Sequence, residues 1–189
     1  MTAFIPILLF LFMLFLIPVI YVLATYNRLV NLRNTTTESW RNVDTELQRR
    51  YDLIPNLVQT VKGYATHERE VFEEVARARA AAVASKGTPG SQALDENILI
   101  QTLGKLLAVV ENYPDLKASG NFMHLQEELV NTEDRIQASR RFYNGNVRDY
   151  NNKVQMVPSN LVASSFGFRP TEYFEIESLN VRQPIKVSM

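Results

Sequence analysis

Hydrophobic residues in this chain follow two patterns in turn. From Phe4 to Ala24 they are nearly continuous, "FIPILLFLFMLFLIPVIYVLA", about 21 residues. From Asn27 onward they return every third or fourth position, the spacing of one helix face. At 1.5 Å per residue the continuous run covers roughly 30 Å, the hydrocarbon thickness of a bilayer. Pro6 and Pro18 are tolerable there if neighbouring groups re-satisfy the backbone. Tyr21 and Tyr26 suit the headgroup boundary. Residues 1–26 therefore read as a transmembrane anchor. A cleaved signal peptide, with Val22 and Ala24 at its cleavage site, is the competing reading. Against it, the run exceeds the usual signal core and no Lys or Arg precedes it.

The periodic part, residues 27–157, predicts four helices. The first, about 27–51, carries Leu29, Leu32, Thr36, Trp40, Val43, Leu47 and Tyr51 on one face. "TTTE" at Thr35–Glu38 is a possible capping box separating it from the anchor; a continuous helix is equally compatible. Asp52 is a good N-cap residue, and Pro55 falls in the first turn after it, where a missing N–H costs nothing. Ile54, before proline, is biased away from helical angles. Asp52–Pro55 thus predicts a tight reversal and a second helix over 53–85, weakened at Gly63. "KGTPGS", Lys86–Ser91, is a loop. The third helix covers 92–113 and stops at Pro114. After a turn, "PDLKASGN", the fourth covers 121–156.

That fourth helix has the most regular stripe. Phe122, Leu125, Leu129, Thr132, Ile136, Ser139, Tyr143, Asn146, Tyr150, Val154 and Val157 follow one another at spacings of three or four, a heptad-like, coiled-coil seam. Four amphipathic helices with short connections predict an all-α, antiparallel up-down bundle. Residues 158–189 form a tail: a short helix capped by Ser159 and ended by Gly167, then extended chain. In it Tyr173, Glu175 and Glu177 alternate with Phe174 and Ile176. The tail aromatics dock on the chain's own bundle or, alternatively, on a neighbouring copy. The second reading makes Tyr143, Phe166, Phe168, Tyr173 and Phe174 candidate oligomer contacts.

Charge changes the picture in one respect. The chain has 20 basic and 20 acidic residues, all after the apolar run. A balanced domain has no broad footprint for nucleic acid. Arg28 and Arg33 follow the run directly, with Arg41 beyond, so the positive-inside rule places Met1 outside and the helical domain in the cytoplasm. In the bundle, the far end of the second helix would return to the membrane. Arg28, Arg33, Arg77, Arg79 and Lys86 are therefore the candidate membrane-interface residues.

Candidate chemistry is sparse. Cysteine is absent, which removes thiolate catalysis and Cys-ligated metals. "HERE", His67–Glu70, lacks the second histidine of a zinc-protease helix. Di-metal bundles need Glu three residues before His; His67 and His124 are preceded there by Tyr64 and Asn121. "GTPG" lacks the spacing of a phosphate loop. No catalytic, metal or cofactor site is expected, and the chain reads as non-enzymatic.

Four stretches resemble the LemA family of bacterial membrane proteins: "YNRLVNLRN" (Tyr26–Asn34), "RRYDLIPNLVQTVKGYATHE" (Arg49–Glu68), "RRFYNGNVRDYN" (Arg140–Asn151) and "FGFRPTEYFEIE" (Phe166–Glu177). The resemblance covers nearly the whole chain. It implies an antiparallel helical bundle on a single span in the bacterial inner membrane, with no catalytic residues to carry over. The expected partners are the lipid bilayer, further copies of the chain, and another membrane protein such as a protease. The functional expectation is a self-associating scaffold, or alternatively an adaptor that regulates such a partner.

Overall fold

In the computed structural model, residues 4–177 and 179 are described, with side chains from residue 10 onward. Among them every regular element is an α-helix: α1 (Phe4–Lys62), α2 (Arg69–Ala84), α3 (Pro89–Val110), α4 (Pro114–Lys117), α5 (Gly120–Gln155) and α6 (Ser159–Ser165). The described chain forms two compact units. The first comprises residues up to Glu38 and Gly145–Thr171; the second comprises Ser39–Asn144 and the residues from Glu172.

α1 runs unbroken through "TTTE", the continuous alternative, and through the reversal predicted at Asp52–Pro55. At "TTTE", the hydroxyls of Thr35, Thr36 and Thr37 donate back to the carbonyls of Asn31, Leu32 and Arg33, at 3.0, 2.8 and 3.0 Å. Hydroxyls engaged this way ride on the helix rather than cap a new one.

The reversal predicted at Asp52–Pro55 does not occur, so a first helix ending at 51 and a second beginning at 53 are both corrected. Pro55 has no N–H to give the Tyr51 carbonyl four residues before it. Arg79 on α2 supplies the missing donor, its Nε lying 2.7 Å from that oxygen. A tertiary hydrogen bond replaces the helical one, and the helix continues. It ends at Lys62, where Gly63 follows. The N–H groups of Tyr64 and Ala65 both bond the Val61 carbonyl, at 3.0 and 2.9 Å, and swing the chain toward α2.

Smaller corrections follow the same logic. α3 begins at Pro89, inside the predicted loop. Thr88 caps it, accepting from the Ser91 N–H at 3.3 Å, with proline in the first turn. The predicted turn after Tyr113 holds the single turn α4. Ser159 does not cap α6. Its hydroxyl donates to the Lys153 and Met156 carbonyls at 2.7 and 2.9 Å, closing the end of α5. The end of α6 falls where glycine predicts it. Gly167 has φ +72°. The Gly167 N–H reaches the Ser164 carbonyl at 3.3 Å and the Phe168 N–H reaches Ala163 at 2.9 Å, a Schellman closure.

The first unit has its own core: Leu29 from α1, Tyr150 and Val154 from α5, Val162 and Ala163 from α6, and Phe168 beyond it. In the second unit the buried stripe of α1 (Val43, Leu47, Ile54, Leu57, Val61) is matched by Phe72 and Val75 of α2, Leu99, Leu103 and Leu106 of α3, and Leu129 and Ile136 of α5. α2 and α3 pack on each other. Within this unit α5 runs antiparallel to α1. Asn121 donates to Thr60 at 3.1 Å, Glu133 meets Arg50, and the Tyr143 ring lies 5.1 Å from Trp40.

Candidate functional site

α1 presents the first site. From residue 10 to 23 most of its large apolar side chains are uncovered, Leu16 and Val22 being half-buried: Phe10 is 67% exposed, Phe15 74% and Leu23 59%. A solvated surface this apolar and contiguous marks an interaction site. Of the predicted interface cations, Arg28 and Arg33 belong to the same unit as this segment. Arg28 lines a cavity of about 330 Å³ with Tyr21 and Lys153. The Arg33 guanidinium sits 5.2 Å from the centre of the Phe168 ring, a cation–π contact. Arg77, Arg79 and Lys86 belong to the second unit. There Arg79 is committed to the Tyr51 carbonyl, while Arg77 and Lys86 are exposed.

The second site was missed from sequence. Arg50 is fully buried where α1, α3 and α5 meet. Its Nη1 donates to Glu133 at 2.9 Å, and its Nη2 donates to Glu96, which also accepts the Tyr51 hydroxyl. Burial alone lowers the Arg50 pKa, but the facing Glu133 and Glu96 charges raise it above its ordinary value. Burial raises the Glu96 carboxyl above the usual range despite Arg50 and Tyr51, which favour its ionised form. Burial and the Glu96 charge likewise raise Tyr51. One guanidinium facing two carboxylates leaves a net charge of −1; a neutral Glu96 brings it to zero. A sequence signal existed. Arg50 continues the four-three spacing Val43, Leu47, Ile54, Leu57, and Glu96 continues Leu99, Leu103, Leu106. A charge inside an apolar stripe announces a buried partner.

The tail forms the third feature. Phe174 and Ile176 are buried and Tyr173, Glu175 and Glu177 are exposed, the predicted alternation, with no strand beside it among the described residues. Side chains act as the neighbouring strand. In the second unit, Asn144 accepts from the Phe174 N–H at 2.9 Å and donates to its carbonyl at 3.0 Å. In the first, Asn151 does the same for Thr171, both at 2.8 Å. Tyr143 donates to the Glu172 carbonyl at 2.9 Å, and Arg140 to that of Ile176. Burial and the Glu172 charge push the Tyr143 phenol up to about 12.

This placement corrects the predicted oligomer contacts. Tyr143 and Phe174 are enclosed, at 1% and 0% exposure, and pack on Trp40. Phe168 is enclosed in the first unit's core. None of the three is available to a second copy, whereas Phe166 and Tyr173 remain exposed. His67 and His124 are both exposed.

Among the described residues, fold and sites together define an all-helical protein with one N-terminal helix long and apolar enough to cross a membrane. The LemA family profile matches residues 39–189, and the chain belongs to that family. It is 31% identical over 179 residues to Magnetosome protein MamQ 2 of Paramagnetospirillum magneticum, covering 81% of this chain and 65% of that protein. Against MamQ of Magnetospirillum gryphiswaldense the figures are 28% over 178 residues, 80% and 65%. Protein LemA of Metamycoplasma hominis is 25% identical over 159 residues, covering 82% of this chain and 72% of that protein. The chain thus spans less than two thirds of the length of the MamQ proteins.

Proposed function

We propose that this chain is a non-enzymatic, single-pass membrane protein whose helical part self-associates as a scaffold. The observation that carries the membrane half is the uncovered apolar face of α1. Each such side chain gains about 1.5–3 kcal/mol on leaving water, and the chain itself covers few of them. Arg28 and Arg33 beyond the run support an orientation with Met1 outside and the helical part cytoplasmic, in the inner membrane of a bacterium. α1, α2, α3 and α5 are read as an up-down bundle; the facing buried stripes and the antiparallel α1–α5 pair support this. The deepest carboxylates, Glu96 and Glu133, are tied to Arg50, a structural use that fits a protein without catalysis.

Self-association is assigned to α3. Leu94 and Ile98, four residues apart on that helix, are 67% and 54% exposed, and they replace the enclosed tail aromatics as the contact surface. The test is the molar mass of the full chain in mild detergent by light scattering, beside Leu94→Lys/Ile98→Lys. A homogeneous multimer that the double substitution reduces to monomer supports the scaffold. A native chain that is monomeric at every concentration sinks it and favours an adaptor, monomeric alone and bound to another membrane protein, such as a protease, at fixed stoichiometry.

A further inference from the structure

The sequence holds a second stretch without charge. Residues 154–168, "VQMVPSNLVASSFGF", carry none, and Lys153 and Arg169 bound them. This stretch forms the corner between α5 and α6. Its inner side chains, Val162, Ala163 and Phe168, fill the first unit's core. Its outer ones stay uncovered: Met156 is 61% exposed, Val157 78%, Leu161 65% and Phe166 54%. Four large apolar side chains around one turn are unusual on a water-facing surface.

The corner is folded against the C-terminal part of the apolar run. The Phe166 ring lies 4.9 Å from Tyr26. Met156, Val157 and Lys153 line the 330 Å³ cavity with Tyr21 and Arg28. Asp149 is the acid on that cavity, and it lies 3.2 Å from Arg148. The corner and the α1 segment around Tyr21 and Tyr26 therefore meet within the first unit, with Arg28 and Lys153 on their shared cavity and Arg169 next in sequence after the corner.

We propose that the α5–α6 corner is a membrane-contact surface. Met156, Val157, Leu161 and Phe166 enter the boundary between headgroups and acyl chains beside α1, while Arg28, Lys153 and Arg169 meet lipid phosphates. Two observations select lipid over a second copy. The patch adjoins Tyr21 and Tyr26 of α1, where the exposed apolar run ends. Cations flank an uncharged apolar face, the arrangement of interfacial segments. The corner then adds a contact that fixes the first unit against the bilayer. The inference rests on the reading of α1 as a membrane span.

The native chain has no cysteine, so single labels are simple to place. Leu161→Cys, Val157→Cys, Phe15→Cys and Glu127→Cys, each in the full chain, would be reconstituted in vesicles of phosphatidylcholine and phosphatidylglycerol. Each would be labelled with the environment-sensitive fluorophore NBD. Spin-labelled lipids carrying the quencher high or low on the acyl chain then report depth. The labels at 157 and 161 are expected to be quenched most by the shallow lipid, that at 15 most by the deep lipid, and that at 127 by neither. Quenching at 15 without quenching at 157 and 161 overturns the corner's role and leaves the span standing. No quenching at 15 overturns both. A blue-shifted but unquenched label at 161 assigns the patch to a protein contact and also overturns the inference. Phosphatidylglycerol is expected to strengthen quenching at 161, and Lys153→Gln/Arg169→Gln to remove that gain; persistence of the gain refutes the phosphate contacts.

Discussion

Arg50 shows what a single buried charge demands. It has two carboxylate partners, and its Nε and the Glu133 Oε2 have no hydrogen-bond partner among the described residues. Breaking such a cluster from one side leaves uncompensated charge behind. Arg50→Met is expected to cost about 3–5 kcal/mol in urea denaturation of the detergent-solubilised chain. Glu96 adds a pH dependence of defined sign. Burial holds its folded pKa above the ordinary carboxylate range, so between the unfolded and folded pKa values the folded chain binds more protons than the unfolded one. Its contribution to stability is complete below pH 4.5 and is lost as pH rises through the folded pKa. Glu96→Gln should flatten that decline, measured as the urea midpoint across pH. The Arg79–Tyr51 contact predicts a coupling. Arg79→Met strands a half-buried carbonyl, at about 1 kcal/mol or somewhat more. In a Pro55→Ala background the restored N–H satisfies that carbonyl, and the same substitution should cost clearly less.

At the scale of the element, helices here end where no partner replaces the lost backbone bond. α1 survives Pro55 because α2 brings a donor, and it stops at Gly63, where the following N–H groups close on Val61. α6 stops at Gly167, the one described residue with positive φ, where a side chain would be strained. The tail is held by asparagine amides rather than a strand ladder, so its alternation is paired to helix faces. Phe174→Ala removes a fully buried ring and should cost about 3–5 kcal/mol. Trp40, the single tryptophan, lies 5.1 Å from that ring. Loss of the tail contact should therefore shift Trp40 emission to the red at urea concentrations below global unfolding.

For the whole molecule, the separation of charge decides the environment. Phe15 and Phe142 are both exposed, at 74% and 59%, yet they belong to different units and different surroundings along the sequence. Phe15 lies within a run with no charge; Phe142 follows Arg140 and Arg141. A lysine at the centre of a spanning helix costs about 2.5–3.5 kcal/mol of insertion. Phe15→Lys should lower the fraction of protein retained in carbonate-washed membranes, and Phe142→Lys should leave it unchanged. Equal retention of both variants would count against α1 as the anchor.

Much of the architecture is carried by local pattern. The apolar run, the helical class, the extent of α5, the glycine stop at 167 and the inward turn of Phe174 and Ile176 all follow from spacing along the chain. A helix or an extended segment imposes its own period on whichever side chains it buries. Residues distant in sequence decided the rest. Pro55 reads as a reversal until Arg79 is brought beside Tyr51. Arg50 is only a charge inside an apolar stripe until Glu96 and Glu133 close on it. Whether Phe168 and Phe174 dock on the chain's own helices or on a neighbouring copy stays open in the sequence until those helices cover them. In each case the deciding quantity is whether a polar group or a ring finds its partner on folding. That partner lies elsewhere in the chain: a local period can mark the need for one, as at Arg50, but cannot say which residue supplies it.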